Sequence, residues 1–176
     1  TGTRKELVAA AVHRASCRGD LAMVSINMAA IPPGLAAATL FGSARGAFTG
    51  ATRASEGFFA QAQGSTLFLD EIGETPDEVQ PQLLRALQQR EIQAVGGNIQ
   101  KVDVRIISAT DSALDSESCD FRAALRHRLG AGEIHLLPLR EHPEDIGELL
   151  LHFLTSQAKQ LGCAELLPGE DSAEGK

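Results

Sequence analysis

The spacing of apolar positions changes repeatedly along the chain and predicts helices that alternate with short strands. Helical spacing of apolar residues predicts helices over residues 5–15, 33–40, 56–62, 76–90, 121–129 and 143–161. Short apolar runs predict strands over residues 22–26, 66–69, 102–109 and 134–137, and a small hairpin formed by residues 91–95 and 99–101. This alternation is typical of an α/β fold with a mostly parallel sheet.

Two of the predicted helices carry local start signals. Pro76 suits the first helical position, where the N–H group that proline lacks is not needed, and Asp77 and Glu78 follow where the helix dipole favours acids. Ser55 precedes the helix over residues 56–62 and is expected to cap it.

Composition narrows the class of protein. The chain has 176 residues, which fits one domain, and it is 43% hydrophobic with no Trp or Tyr, so we expect a core of mainly aliphatic side chains. A net charge of −7 argues against a surface that binds duplex nucleic acid. No signal peptide and no run of 18 apolar residues is found, so we expect no membrane span.

The cysteines and histidines offer no metal set or disulfide framework. Three widely spaced cysteines suit a reducing cytoplasm, which is where we expect the protein. The five histidines are scattered, so we expect no metal other than Mg²⁺.

The strand over residues 66–69 runs directly into Asp70-Glu71, in the form of a Walker B strand. Parallel α/β sheets bind ligands at the carboxyl ends of their strands. Asp70 is therefore a candidate ligand for Mg²⁺, which prefers oxygen, and Glu71 a candidate to orient and polarise an attacking water. The alternative is an exposed pair of acids at a strand end.

Leu40-Phe41-Gly42 is followed by Gly46-Ala47-Phe48-Thr49-Gly50-Ala51, a segment without helical or strand periodicity. Glycine adopts backbone angles that other residues avoid, so this segment predicts a tight, projecting loop. On spacing alone, a glycine-rich surface turn with Phe48 tucked onto the body is the more common arrangement.

The literal string resembles the signature loop of the bacterial activators of sigma-54 RNA polymerase, a branch of the AAA+ ATPases. The resemblance covers about residues 3–153. It implies that Phe48 and Thr49 at the loop tip touch the sigma factor, within a contact loop that also includes Gly46, Ala47, Gly50 and Ala51.

The first six residues resemble the end of that family's P-loop, G-x-x-x-x-G-K. The resemblance implies that Gly2, Thr3, Lys5 and Glu6 bind nucleotide, with Lys5 reaching the terminal phosphates. Arg4 replaces a glycine, so its side chain crowds the phosphates although its charge attracts them. Without the resemblance, a single Lys near a helix start is usually only solvated.

Asp111 and Asn27 each follow a predicted strand. The strand before Asp111 resembles the family's sensor I, which ends in an Asn that reads the γ-phosphate, whereas a carboxylate accepts hydrogen bonds without donating. Asp111 equally suits a cap on the next helix. Asn27 matches the residue that restrains the catalytic Glu, here Glu71, and it also fits a simple hydrogen-bonded strand end.

The helix over residues 121–129 resembles the family's arginine-finger helix. Arg122 and Arg128 match its two fingers, which reach the nucleotide site of the next subunit, although Ala124 replaces a common Asp. The alternative is a basic face with surface ion pairs. Residues 137–146 resemble the link into the family's helical lid.

The resemblance implies a three-layer AAA+ sandwich over residues 1–140, truncated at the P-loop and with the loop insertion at about 42–55. The helical lid would begin over residues 141–162, and we expect a disordered tail at 163–176. The family's strand before the P-loop is central in its sheet and is not in this sequence. We therefore expect a piece of a longer protein, which alone folds poorly or opens at that seam.

The function implied is an ATP–Mg²⁺-driven ring, a hexamer by resemblance, which remodels sigma-54 RNA polymerase while other domains contact DNA. The alternative is a catalytically impaired relative or gene remnant that acts as a binding module for sigma factor or partner subunits; the substitutions at Arg4 and Asp111 favour it. A kinase or transporter ATPase gives no reason for the loop or the arginine pair.

Overall fold

A computed structural model describes residues 5–48, 51–112, 114 and 121–161. The chain forms two units, a larger one that extends to Ile134 and a smaller one that begins at His135. The larger unit contains five α-helices within the described residues: α1 (Lys5–Arg14), α2 (Pro33–Phe41), α3 (Phe58–Gln61), α4 (Gln80–Gln89) and α5 (Ala123–Leu129). Its described strands are β1 (Val24–Asn27), β2 (Thr66–Asp70), β3 (Glu91–Gln93), β4 (Ile99–Lys101) and β5 (Arg105–Ser108).

Three of the strands form a parallel sheet in the order β1-β2-β5. The register pairs Asn27 with Asp70 and Leu69 with Ser108, so the carboxyl ends of all three strands meet at one edge. Strand β2 lies in the middle and its first four residues are buried, as expected for a parallel strand covered on both faces. The predicted α/β class is confirmed, and the sheet edge that should carry the site is defined.

The core lies around β2 and is mainly aliphatic, as the composition predicts. Leu67, Leu69, Leu83 and Leu125 are completely buried. Aromatic packing adds one stacked pair, Phe41 on Phe59, with ring centroids 5.4 Å apart.

A buried hydrogen bond between His13 and Thr66 joins α1 to β2. His13 is 4% exposed, and its Nε2 lies 2.8 Å from the carbonyl oxygen of Leu21. Because a carbonyl only accepts, Nε2 carries the proton, and in a neutral ring Nδ1 then accepts from Thr66 Oγ1 at 2.9 Å. The histidine is therefore structural, and the helix that begins with Lys5 is held in place on the sheet.

Two predicted helix starts are wrong in position. Helix α4 begins at Gln80 with Pro81 in its first turn, because Pro76 instead opens a preceding turn in which Val79 N–H donates to the Pro76 carbonyl. Ser55 does not cap α3. Its backbone is paired with Ser43, and Gly57 is the residue before the helix.

The predicted strand over residues 134–137 does not form. Within the described residues it pairs with no other strand, and Ile134 and Leu137 are 64% and 58% exposed. An extended segment becomes a strand only when a neighbour satisfies its backbone groups.

Strand β5 lies at one edge of the three-stranded sheet, and all four of its residues are only half-buried.

The antiparallel hairpin of β3 and β4 is confirmed, and Gly96 in its turn has a φ of 68°. In the smaller unit, helix α6 spans Asp145–Gln160 after a short 3₁₀ turn at Leu139–Glu141, and it confirms most of the predicted helix. No helix in the described part of the chain is both long and apolar enough to cross a membrane. The predicted tail over residues 163–176 lies outside the described residues.

Candidate functional site

The acid pair lies where β2 ends and the chain turns sharply. Glu71 has φ 51° and ψ 50°, a left-handed conformation that is uncommon for a residue with a side chain. The next residue, Ile72, donates its N–H to the Ala109 carbonyl just beyond β5. The turn is thus held against the neighbouring strand, and such strained conformations are often found at functional sites.

Lys5, the first residue of α1, brings its ammonium group to these acids. Its Nζ lies 2.8 Å from Glu71 Oε1, 2.9 Å from Asp111 Oδ1 and 3.9 Å from Asp70 Oδ1. Four predicted site residues from three separate segments therefore form one cluster, which we call the lysine–acid cluster: Lys5, Asp70, Glu71 and Asp111.

Glu71 and Asp111 contact each other as well as Lys5, so each of these three residues contacts the other two. The second carboxylate oxygen of Glu71 accepts from the backbone N–H of Asp111 at 3.2 Å. The next described helix, α5, begins only at Ala123, so Asp111 does not cap it. The side chain of Asp111 instead belongs to the cluster.

The cluster has a formal charge of −2, one lysine against three carboxylates. Burial alone would lower the pKa of Lys5, but hydrogen bonds and charges from Glu71 and Asp111 together raise it. Lys5 therefore remains protonated at neutral pH. A phosphate approaching Lys5 must displace carboxylates and meets net negative charge unless a cation accompanies it.

Asp70 has the features of a ligand for such a cation. Its Oδ2 accepts from Asn27 at 3.3 Å, whereas its buried Oδ1 has no hydrogen-bond partner among the described residues. A buried acceptor without a partner is costly, and Mg²⁺ is often held by one or two carboxylates plus phosphate and water. The described residues form no group of three or more His, Cys, Asp or Glu side chains that could hold a metal alone. The residues present fit Mg²⁺ bound together with a phosphate.

Asn27 contacts a different acid from the one predicted. Its Nδ2 donates to Asp70, and its Oδ1 accepts from the N–H of Ala29 at 2.9 Å. Among the described residues, none of its hydrogen bonds reaches Glu71. Asn27 lies beside Asp70 because the register of β1 and β2 pairs these two residues. The geometry therefore supports a role in orienting Asp70.

The two predicted arginine fingers are exposed and lie outside the lysine–acid cluster. Arg122 precedes α5, and its backbone N–H donates to Gln80 Oε1 at 2.8 Å. Arg128 donates from Nη2 to the Leu87 carbonyl at 3.1 Å.

Gln80 is a residue that sequence reasoning missed, because patterns of apolar positions do not identify a buried amide.

The glycine-rich loop has a firmly anchored base. Ser43 and Ser55 exchange two backbone hydrogen bonds of 2.9 Å, and Val95, next to the hairpin turn, bonds Gly42 and Ala44. Phe48 is 43% exposed, so it is not tucked into the body.

The remaining predicted site residues stand as follows. Within the loop, Gly46 N–H donates to the Ala51 carbonyl at 2.8 Å. Glu6 is exposed on α1. Gly2, Thr3, Thr49 and Gly50 lie outside the described residues.

A parallel sheet with a lysine at a helix start and an acid pair at the carboxyl edge is typical of P-loop nucleotide-binding domains, among them the AAA+ domains. The family model described as the Sigma-54 interaction domain matches residues 1–135, and the chain belongs to this family.

Curated relatives agree with this assignment. The chain is 50% identical to the DNA-binding transcriptional regulator NtrC of Escherichia coli K12, over 98% of the chain and 38% of that protein. It is 49% identical to the formate hydrogenlyase transcriptional activator FhlA of the same strain, over 92% of the chain and 24% of that protein. It is also 48% identical to the regulatory protein LuxO of Vibrio cholerae, over 94% of the chain and 32% of that protein. The chain thus spans between a quarter and two fifths of these relatives.

Solved structures confirm the fold. Crystal structures of NtrX from Brucella abortus in complex with ATP and with ADP match with TM-scores of 0.82 and 0.81 at 36% identity. Each match covers 92% of this chain, and 35% and 36% of the respective NtrX chains.

Proposed function

We propose that this chain is the ATP-hydrolysing module of a sigma-54-dependent transcriptional activator, with its nucleotide site at the lysine–acid cluster. The observation that carries the proposal is the convergence of Lys5 with Glu71, 66 positions apart in sequence, at 2.8 Å. The family assignment and the ATP and ADP complexes of NtrX support it.

The side chains of the cluster have complementary tasks. Lys5 exchanges carboxylate partners for the terminal phosphates at the start of α1, where the helix dipole also favours an anion. Asp70, oriented by Asn27, would offer to Mg²⁺ its Oδ1, which has no hydrogen-bond partner among the described residues; the ion would neutralise phosphate charge. Glu71, once released by Lys5, is free to orient an attacking water and accept its proton.

The arginines and the loop extend this site to partners. Arg122 and Arg128 are exposed on or beside α5, which suits reaching a nucleotide held by the next subunit of a ring. The base of the loop bonds to Val95 through Gly42 and Ala44, so a shift of Val95 would move this base. We propose that Phe48 and Thr49 contact sigma-54 in the cytoplasm, while other domains contact DNA.

A catalytically impaired binding module is the second candidate, and one observation favours it. The Asp111 carboxylate forms an ion pair with Lys5 Nζ at 2.9 Å and adds a negative charge where phosphate must bind. In this candidate the loop still binds sigma factor, but nucleotide binding is too weak to drive movement.

Equilibrium binding of Mg-ATP to the full-length protein separates the two candidates. The proposal predicts saturable binding that Lys5→Gln weakens at least tenfold, because the ammonium group proposed to face the terminal phosphates is lost. The matched control is Lys101→Gln, which removes a lysine from the exposed strand β4. Absence of binding in the unaltered protein would favour the binding module.

Retention of sigma-54 tests the loop separately. Phe48→Ala should abolish retention without changing the affinity for ATP, because Phe48 is exposed and lies on the loop rather than in the cluster. Unchanged retention would contradict the proposed contact.

A further inference from the structure

The side chain of Gln80 joins two segments of the larger unit. It is 1% exposed, and its Nε2 donates to the Thr75 carbonyl and to Asp77 Oδ1, both at 3.1 Å. Its Oε1 accepts from the backbone N–H of Arg122 at 2.8 Å. A buried amide with partners on both sides constrains both sides, because each lost bond leaves a polar group unsatisfied.

The first of these segments leads back to the acid pair. Thr75 closes the 3₁₀ turn Ile72–Glu74, which begins directly after Glu71. Its N–H and its hydroxyl both donate to the Ile72 carbonyl, at 3.1 Å and 2.7 Å. Ile72 is itself 2% exposed and cannot shift freely. Gln80 is therefore connected to the residue that follows Glu71.

The second segment begins α5. Arg122 has extended backbone angles, and its carbonyl accepts from Leu125 and Arg126 in the first turn of the helix. Its side chain is exposed, so its backbone is the part that the larger unit holds. The hydrogen bond from the Arg122 N–H to Gln80 therefore fixes the backbone position from which the Arg122 side chain extends.

We infer that Gln80 is a positioning residue: it holds Arg122 in the place from which this arginine reaches the nucleotide of the next subunit. The same amide ties that place to the turn after Glu71, so the acid pair of one subunit and the arginine it presents to its neighbour move together. This inference rests on the proposed function.

Subunit mixing in the full-length protein tests the inference. Gln80→Met keeps the length of the side chain and removes its hydrogen bonds, and should lower ATP turnover at least tenfold with nucleotide affinity within twofold. Mixing with Glu71→Gln subunits, which have a defective site and an intact arginine, should restore turnover. Mixing Arg122→Ala subunits with Glu71→Gln subunits should restore turnover in the same way. The control Gln82→Met, on the exposed face of α4, should turn over ATP like the unaltered protein.

A purely structural role would not give this complementation. Failure of Glu71→Gln subunits to rescue Gln80→Met, when they do rescue Arg122→Ala, would overturn the inference, as would full activity of Gln80→Met alone.

Hydrogen exchange of the Arg122 amide provides a readout that does not depend on catalysis. In the nucleotide-free protein it should be at least tenfold faster in Gln80→Met than in Gln82→Met, and equal rates would overturn the inference. Should Gln80→Met not fold, Gln80→Leu also fills the buried site without hydrogen-bonding groups and should give the same fast exchange of the Arg122 amide; full protection in Gln80→Leu would contradict the account. If the unaltered protein hydrolyses no ATP, the proposed function fails, while the exchange result still decides whether Gln80 positions Arg122.

Discussion

Replacing Asp111 by Asn should strengthen nucleotide binding while weakening the nucleotide-free fold. The Asp111 carboxylate lies 2.9 Å from Lys5 Nζ, so under the proposed function it should compete with phosphate for that ammonium. Asparagine retains the size and an accepting oxygen but removes the charge. The cluster then changes from −2 to −1, which also reduces the repulsion of an incoming anion.

The size of the effect follows from burial. Hydrogen bonds to charged groups contribute about 1.5–3 kcal/mol when shielded, and exposed ion pairs about 0.2–1 kcal/mol. The side chain of Lys5 is 13% exposed and that of Asp111 34%, so we take about 1 kcal/mol for the charged contact. This corresponds to about a fivefold lower Kd for Mg-ATP and a loss of about 1 kcal/mol in the free energy of unfolding without nucleotide.

Titration calorimetry and urea unfolding measure the two effects on the same full-length preparations. Asp103→Asn is the matched control, since it removes an equal charge from an ion pair with Arg18 at 2.7 Å, outside the lysine–acid cluster. Asp103→Asn should leave the Kd unchanged. An unchanged or higher Kd in Asp111→Asn would refute the idea that Asp111 competes with phosphate.

Further predictions concern the loop base and an ion pair. In Gly57→Ala the new Cβ would lie 2.3 Å from the backbone nitrogen of Gly42, so we expect a loss of about 3 kcal/mol by urea unfolding, whereas Gly34→Ala, with open space around it, should lose nothing. Equal stability of the two variants would refute this packing. The hydrogen bond from Arg18 holds the pKa of Asp103 below its usual range, so the folded state gains stability above pH about 4 and loses it as pH falls through the lowered pKa. Asp103→Asn should therefore be less stable than the unaltered protein at pH 7, and the two should converge in acid; a constant difference across pH would contradict the linkage.

The strongest sequence predictions were those in which local pattern and burial agree. The apolar run before Asp70-Glu71 predicted a buried parallel strand, and the observed register of β1, β2 and β5 places the acids at the sheet edge. The glycines break every regular period and so predicted a loop, but spacing alone did not show that Phe48 is exposed rather than tucked onto the body.

Most of the missed features share a cause, which is that the deciding partner is distant in sequence; the start of α4 is a local exception. Residues 134–137 have the composition of a strand, but no neighbouring strand pairs with them in the described part of the chain. The start of α4 depended on which of two prolines opens the helix. The contacts of Asp111 with Lys5 and of Gln80 with Arg122 join segments that only the folded chain brings together.

Steady-state ATP hydrolysis by the full-length protein, at concentrations high enough for ring assembly, tests the central claim most directly. If the lysine–acid cluster is the catalytic site, the unaltered protein turns over ATP and Glu71→Gln loses about a hundredfold or more in kcat while still binding Mg-ATP. Turnover that is the same in Glu71→Gln, or absent from the unaltered protein, would contradict the account.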